Sequence, residues 1–84
     1  MIIEGSYYRI QFQEGPVRQM GINGTQANEV LTAIGAYLYA CNSQLPCRET
    51  SLAITKIEEA VFWLNERTRK RLEQNVEGTN EAHK

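Results

Sequence analysis

Arg67, Arg69, Lys70 and Arg71 hold four of the chain's nine Lys/Arg residues. Guanidinium forks suit phosphate oxygens, which they grip with two parallel hydrogen bonds. On a helix, Arg67 and Arg71 are four apart and share a face, while Arg69 points elsewhere. Basic residues also suit the last turns of a helix for electrostatic reasons alone, but four so close together exceed that need. The helix that would carry them starts at Arg48, Glu49, Thr50 and Ser51. Free backbone N–H groups at a helix start hold anions, so Arg48 with the two hydroxyls could clamp a phosphate or ribose. A plain capping arrangement accounts for the same residues. Thr55 lies one turn beyond Ser51, beside Lys56 and Glu59. These three either line the same pocket or form a solvated face with a weak ion pair. Phe12, Gln13, Gly15, Pro16 and Val17 combine an aromatic ring, a turn and backbone amides, which suits base stacking as well as it suits the end of a hairpin. Two anion-favouring ends on one helix point to a binding protein for something phosphorylated.

Other chemistries find little support. The chain has no Asp, its one histidine (His83) lies in the polar tail, and no Ser/His or Cys/His pair or phosphate loop is present. The glutamates show no spacing suited to acid–base work, so we expect no enzyme and no cofactor. With the one histidine in the tail, two cysteines alone do not make a zinc site. Cys41 and Cys47 read most simply as free thiols of a reducing cytosol, the alternative being one bridge that closes a small loop. The opening MIIEGSYYRIQ lacks the apolar run of a secretory signal, and no stretch approaches the ~20 apolar residues of a membrane span. A formal charge of −1 argues against DNA as a partner. The positive charge is local, which fits a small anion better than a long polyanion.

The elements that must position these residues follow from periodicity. Tyr8, Ile10 and Phe12 alternate with Arg9, Gln11 and Gln13, a strand with one apolar face. Glu14-Gly15-Pro16 breaks the run, and Val17–Met20 reads as a short return strand, giving a hairpin. Gly21–Gly24 is turn chemistry. Asn23 or Thr25 can cap a first helix to about Cys41, with Val30, Leu31, Ile34, Tyr37, Leu38 and Cys41 as its apolar stripe. Gly35 within it costs about 1 kcal/mol relative to Ala, and is either a close-approach point or unremarkable. Asn42–Pro46 is too short for anything but an antiparallel return. A second helix runs from Arg48 to about Gln74, with Ala53, Ile57, Ala60, Val61 and Leu64 forming its stripe and Ile54 and Phe62 widening it. Val76–Thr79 should interrupt it, and the residues beyond should be disordered. The expected fold is α+β in a single domain, residues 1–84: a β-hairpin and turn (1–24), a long antiparallel α-hairpin (25–74) and a tail (75–84).

Eighty-four residues bury only about 60% of their unfolded surface. Trp63, Phe62, Tyr37 and Tyr39 cannot all face one seam, so a homo-oligomer is expected.

The run CRETSLAITKIEEAVFWLNERTRKR at Cys47–Arg71, with FQEGPVRQMGINGTQ before it and VEGT after it, resembles the phage-encoded anti-defence nucleotide sponges that counter Thoeris and CBASS immunity. The resemblance implies a protein that withholds an immune signalling nucleotide without cleaving it, in the cytoplasm of an infected bacterial host. That ligand is a cyclic ADP-ribose isomer (glycocyclic ADP-ribose) for Thoeris, and a cyclic di- or trinucleotide for CBASS. It implies dimers or hexamers with pockets between protomers, some with two kinds of site. The matching positions are Arg48, Thr50, Ser51, Thr55, Arg67 and Arg71, the Phe12–Val17 segment, and Gly78 and Thr79 within VEGT. Of these, Arg48 and Arg67 are implied to contact ligand phosphates. Thr50 stands where Asn is common, and Asn75 where Gly often precedes VEGT. Two rival readings remain: a helical-hairpin interaction module with no small-molecule ligand, and a small transcription regulator. The second ranks last, because the connection is too short and the helices too long for a helix-turn-helix.

Overall fold

A computed structural model of the chain describes residues 1–77, with side chains as far as Gln74. It contains a two-stranded ribbon, β1 (Ile2–Gly5) and β2 (Tyr8–Gln11), one turn of helix, α1 (Val17–Met20), and two long helices, α2 (Ala27–Gln44) and α3 (Arg48–Glu77). The expected β-hairpin and α-hairpin are both present.

The hairpin's strands and turn differ from expectation. The strands pair antiparallel with Ile3 opposite Ile10 and Gly5 opposite Tyr8, so the chain reverses at Ser6-Tyr7 rather than at Glu14–Pro16. Neither turn residue has positive φ, so this reversal carries no Asn-Gly type of signal. Val17–Met20 is helix, not a return strand. Pro16, extended at φ −68°, sets up its start, and Gly21, at φ +73°, closes it by donating its N–H to the Val17 carbonyl at 2.8 Å.

A parallel bridge between Phe12 and Thr25 ties the ribbon's end to the start of α2. Gln13 N donates to the Thr25 carbonyl at 3.0 Å, and Thr25 N to the Gln11 carbonyl at 2.8 Å. Gly24 makes this approach possible, since a Cβ there would stand 2.4 Å from the Phe12 carbonyl carbon and 2.6 Å from Gln13 N. Backbone atoms cannot yield as a side-chain tip can. Gly24→Ala is therefore expected to cost about 1–3 kcal/mol, read as a lower urea midpoint. An unchanged midpoint would contradict the bridge.

Neither expected residue caps α2. Its N-cap is Gln26, with no side-chain cap bond. The Asn23 amide is engaged with the Glu14 backbone, and the Thr25 hydroxyl donates to the Glu29 carboxylate at 2.8 Å. The three-residue connection Leu45–Cys47 returns the chain antiparallel. Asn28 Nδ2 to Asn65 Oδ1 (3.0 Å) links the helices at one end, and Asn42 Nδ2 to Ser51 Oγ (3.0 Å) at the other.

The seam is made by Leu31, Leu38 and Cys41 on α2 with Ile54, Ile57, Val61 and Leu64 on α3, all half-buried. Ile34 and Tyr37 turn outward instead, as do Ala53 and Phe62. Gly35 takes their place over Ile57, where a Cβ would fit at 3.4 Å, so the helix approach does not require glycine. The second helix also continues to Glu77, through Val76, where an interruption was expected. Among the described residues no side chain is buried, and Tyr37, Tyr39, Phe62 and Trp63 are each more than half exposed. The radius of gyration is 16.5 Å, against about 12 Å for a compact chain of this size. One copy has a seam but no core.

Candidate functional site

A cleft of ≈ 640 Å³ opens where the ribbon's end meets the α-hairpin. The loop Gln13–Val17 and Arg18 form one wall, Gln26 at the start of α2 the floor, and Arg67 and Arg71 of α3 the opposite wall. A smaller hollow shares Gln26 and Arg67 with it and reaches Ala27 and Asn28 in the first turn of α2. α2 starts without a side-chain cap bond to its first N–H groups.

The three arginines differ from Arg69 in what they touch. Among the described residues, Arg18, Arg67 and Arg71 make no ion pair. Arg69 is fully engaged on α3, with Glu66 one turn behind at 3.0 Å and Glu73 one turn ahead. Those carboxylates raise the Arg69 guanidinium further above its ordinary value, and the hydrogen bond from Arg69 holds the Glu66 carboxyl below the usual range. Three uncompensated guanidinium groups around one concavity, beside an open helix start, favour an anion with at least two charges.

Of the sequence-predicted residues, Gln13, Gly15, Pro16, Val17, Arg67 and Arg71 meet in this cleft. The Gln13 side chain, however, is occupied by the loop itself, donating to Gly21 and accepting from Asn23. Phe12 is half-buried at the Thr25 bridge and does not line the cleft, so the cleft contains no aromatic ring. Arg48, Thr50, Ser51 and Thr55 lie near the other end of the α-hairpin. Nineteen residues of α3 separate Arg48 from Arg67, about 29 Å of helix rise, so one chain does not bring them together. Gly78 and Thr79 lie outside the described residues. Arg18 and Gln26 were not anticipated. Arg18 sits in what reads as a strand, and its only signal is its nearness to the turn at Pro16.

The family model for the Acb2/Tad1 hairpin domain matches residues 5–69. The chain belongs to that family. The hairpin domain is also 44% identical over 78 residues to Thoeris anti-defense 1 of Bacillus phage SBSphiJ7, an alignment covering 92% of this chain and 55% of the relative. The chain thus spans about half the length of the curated relative it matches. The matched region takes in the loop wall, Arg18, Gln26 and Arg67, and stops before Arg71.

At the far end of the hairpin domain the hydroxyls serve the fold. The Cys47 thiol lies 3.1 Å from Thr50 Oγ1 and accepts from the Thr50 N–H at 3.4 Å. Asn42 Oδ1 accepts from Cys47 N–H, and Thr55 Oγ1 donates to the Ser51 carbonyl within the helix. Lys56 and Glu59 form the weak, exposed ion pair of a solvated face. Both cysteines are free. The Thr50 hydroxyl and then its N–H stabilise a Cys47 thiolate and lower the thiol's pKa. A lowered pKa means that half-ionisation comes at lower pH than for a free thiol, so alkylation of Cys47 accelerates earlier as pH rises. Thr50→Val should move that midpoint upward. Iodoacetamide rates against pH, read by mass spectrometry, check this, and an unmoved midpoint would contradict it.

Among the described residues no helix is long and apolar enough to cross a membrane, and no acidic, histidine or cysteine group could hold a metal.

Proposed function

We propose that this hairpin domain is a phage anti-defence protein that binds an immune signalling nucleotide and withholds it, intact, from its effector in the infected bacterial host. The ligand class is a cyclic ADP-ribose isomer, glycocyclic ADP-ribose foremost, or a cyclic di- or trinucleotide. The observation that carries this reading is the cleft holding Arg18, Arg67 and Arg71, which make no ion pair among the described residues, while Arg69, between two of them, is neutralised by Glu66 and Glu73. The name of the phage relative supports the anti-defence role.

Sequestration requires affinity and no chemistry. Nanomolar binding corresponds to about −12 kcal/mol, more than surface arginines supply. Copies of the chain complete the site in this reading. Exposed Tyr37, Tyr39, Phe62 and Trp63 offer rings that the cleft lacks, and a neighbour's Arg48–Thr55 segment offers further donors. Calorimetric titration against glycocyclic ADP-ribose, cyclic dinucleotides and cyclic trinucleotides tests the proposal. Saturable binding of at least one is expected; binding of none would leave a protein-interaction module as the better account.

A further inference from the structure

The segment between Gln13 and Thr25 is held shut by two side-chain amides facing each other across it. Gln13 Oε1 accepts from the Asn23 N–H at 3.0 Å, and its Nε2 donates to the Gly21 carbonyl at 2.9 Å. Asn23 Oδ1 accepts from the Glu14 N–H at 2.8 Å, and its Nδ2 donates to the Glu14 carbonyl at 3.1 Å. Each amide thus uses a donor and its acceptor on backbone, as a neighbouring strand would. Both residues are half-buried. The two backbone bonds of the Phe12–Thr25 bridge lie directly below this clasp.

What lies beyond the clasp matters for the cleft. Gly15–Arg18 form one wall, and α1, which carries Arg18, makes no close approach to any other element. Gly15 adds a fixed bend, with φ +74° and Met20 Cγ where a Cβ would be. The wall is therefore located by what holds its two ends, Glu14 and Gly21, and those are the residues that the amides grip. We propose that Asn23, with Gln13, is a positioning residue for the arginine cleft: the amide clasp sets where Gly15–Arg18 stand, and so whether Arg18 reaches an anion also held by Arg67 and Arg71. This rests on the anion-binding reading above. It goes beyond a loop staple, because a staple would matter for stability without favouring one arginine.

The test combines calorimetry with glycocyclic ADP-ribose and amide hydrogen exchange on the ligand-free protein, for wild type, Asn23→Ala, Arg18→Ala and the double variant. Asn23→Ala is expected to bind about tenfold more weakly, and the double variant to be no more than about twofold weaker than Arg18→Ala alone, since coupled residues do not add. The Glu14 amide is expected to exchange slowly in wild type and fast in Asn23→Ala. Wild-type affinity in Asn23→Ala, or losses that multiply in the double variant, would overturn the proposal. If wild type does not bind this nucleotide, glycocyclic ADP-ribose is excluded as the ligand and hydrogen exchange decides the clasp. Loss of Glu14 protection in Asn23→Ala then supports it, and fast exchange in both proteins overturns it. Should Asn23→Ala not fold, Gln13→Ala breaks the other half of the clasp and is read in the same way.

Discussion

Arg67→Ala and Arg71→Ala proteins are each expected to bind a phosphate-bearing cyclic nucleotide ten- to a hundredfold more weakly than the parent, with Arg69→Ala close to unchanged. A charged hydrogen bond contributes roughly 1.5–3 kcal/mol, and each tenfold in affinity is about 1.4 kcal/mol, so losing one fork gives losses of that size. Arg69 differs because it is already engaged with Glu66 and Glu73 and lies outside the cleft. Its removal frees two carboxylates on α3 and shifts only the salt dependence. Arg48→Ala asks a different question, since Arg48 is most of a helix length away in the same chain. A loss comparable to that of Arg67→Ala is expected where a neighbouring copy completes the site. Unchanged affinity would confine the ligand to the one-chain cleft. Equal small losses at Arg67, Arg69 and Arg71 would mean that only a diffuse positive surface is at work.

The folded chain is expected to exist only as an assembly, so its melting temperature should climb with protein concentration and its helical circular dichroism should collapse on dilution. The physical reason is the absence of any buried side chain among the described residues, with Trp63 edge-to-face on Phe62 at 5.0 Å and still 60% exposed. A half-buried seam between two helices does not offset the conformational entropy of ordering them. Association that buries the outward rings couples folding to concentration by mass action. Light scattering, together with melts over a hundredfold dilution, provides the check. A monomer with a concentration-independent melt would contradict it.

Periodicity made the large elements legible. The alternation at Tyr8, Ile10 and Phe12 marks β2, and the apolar spacing after Thr25 and after Arg48 marks α2 and α3. Where the reading failed, the deciding contact was tertiary or the segment too short. Val17–Met20 holds too few residues to tell a helical turn from a strand, and Ser6-Tyr7 reverses the chain without the usual turn residues. An apolar stripe also cannot say whether a residue faces the partner helix or another copy: Ile34 and Tyr37 belong to the stripe by spacing yet turn outward, and Gly35 sits over Ile57. At the site, Arg67 and Arg71 were visible as an i,i+4 pair. Arg18 and Gln26 were not, because they join those arginines only when the loop after Phe12 folds back. Asn23 reads as a turn residue or cap, while its amide is taken by the backbone of Glu14, nine residues earlier in the chain.

A sponge holds its ligand without chemistry. The most direct measurement is to incubate it with glycocyclic ADP-ribose, cyclic dinucleotides and cyclic trinucleotides, remove unbound nucleotide, denature the protein by heat, and identify what is released by mass spectrometry. One of these nucleotides is expected to be retained in stoichiometric amount and released with its mass and cyclic linkage unchanged. Release of a linear or cleaved product, or retention of none of them, would contradict it.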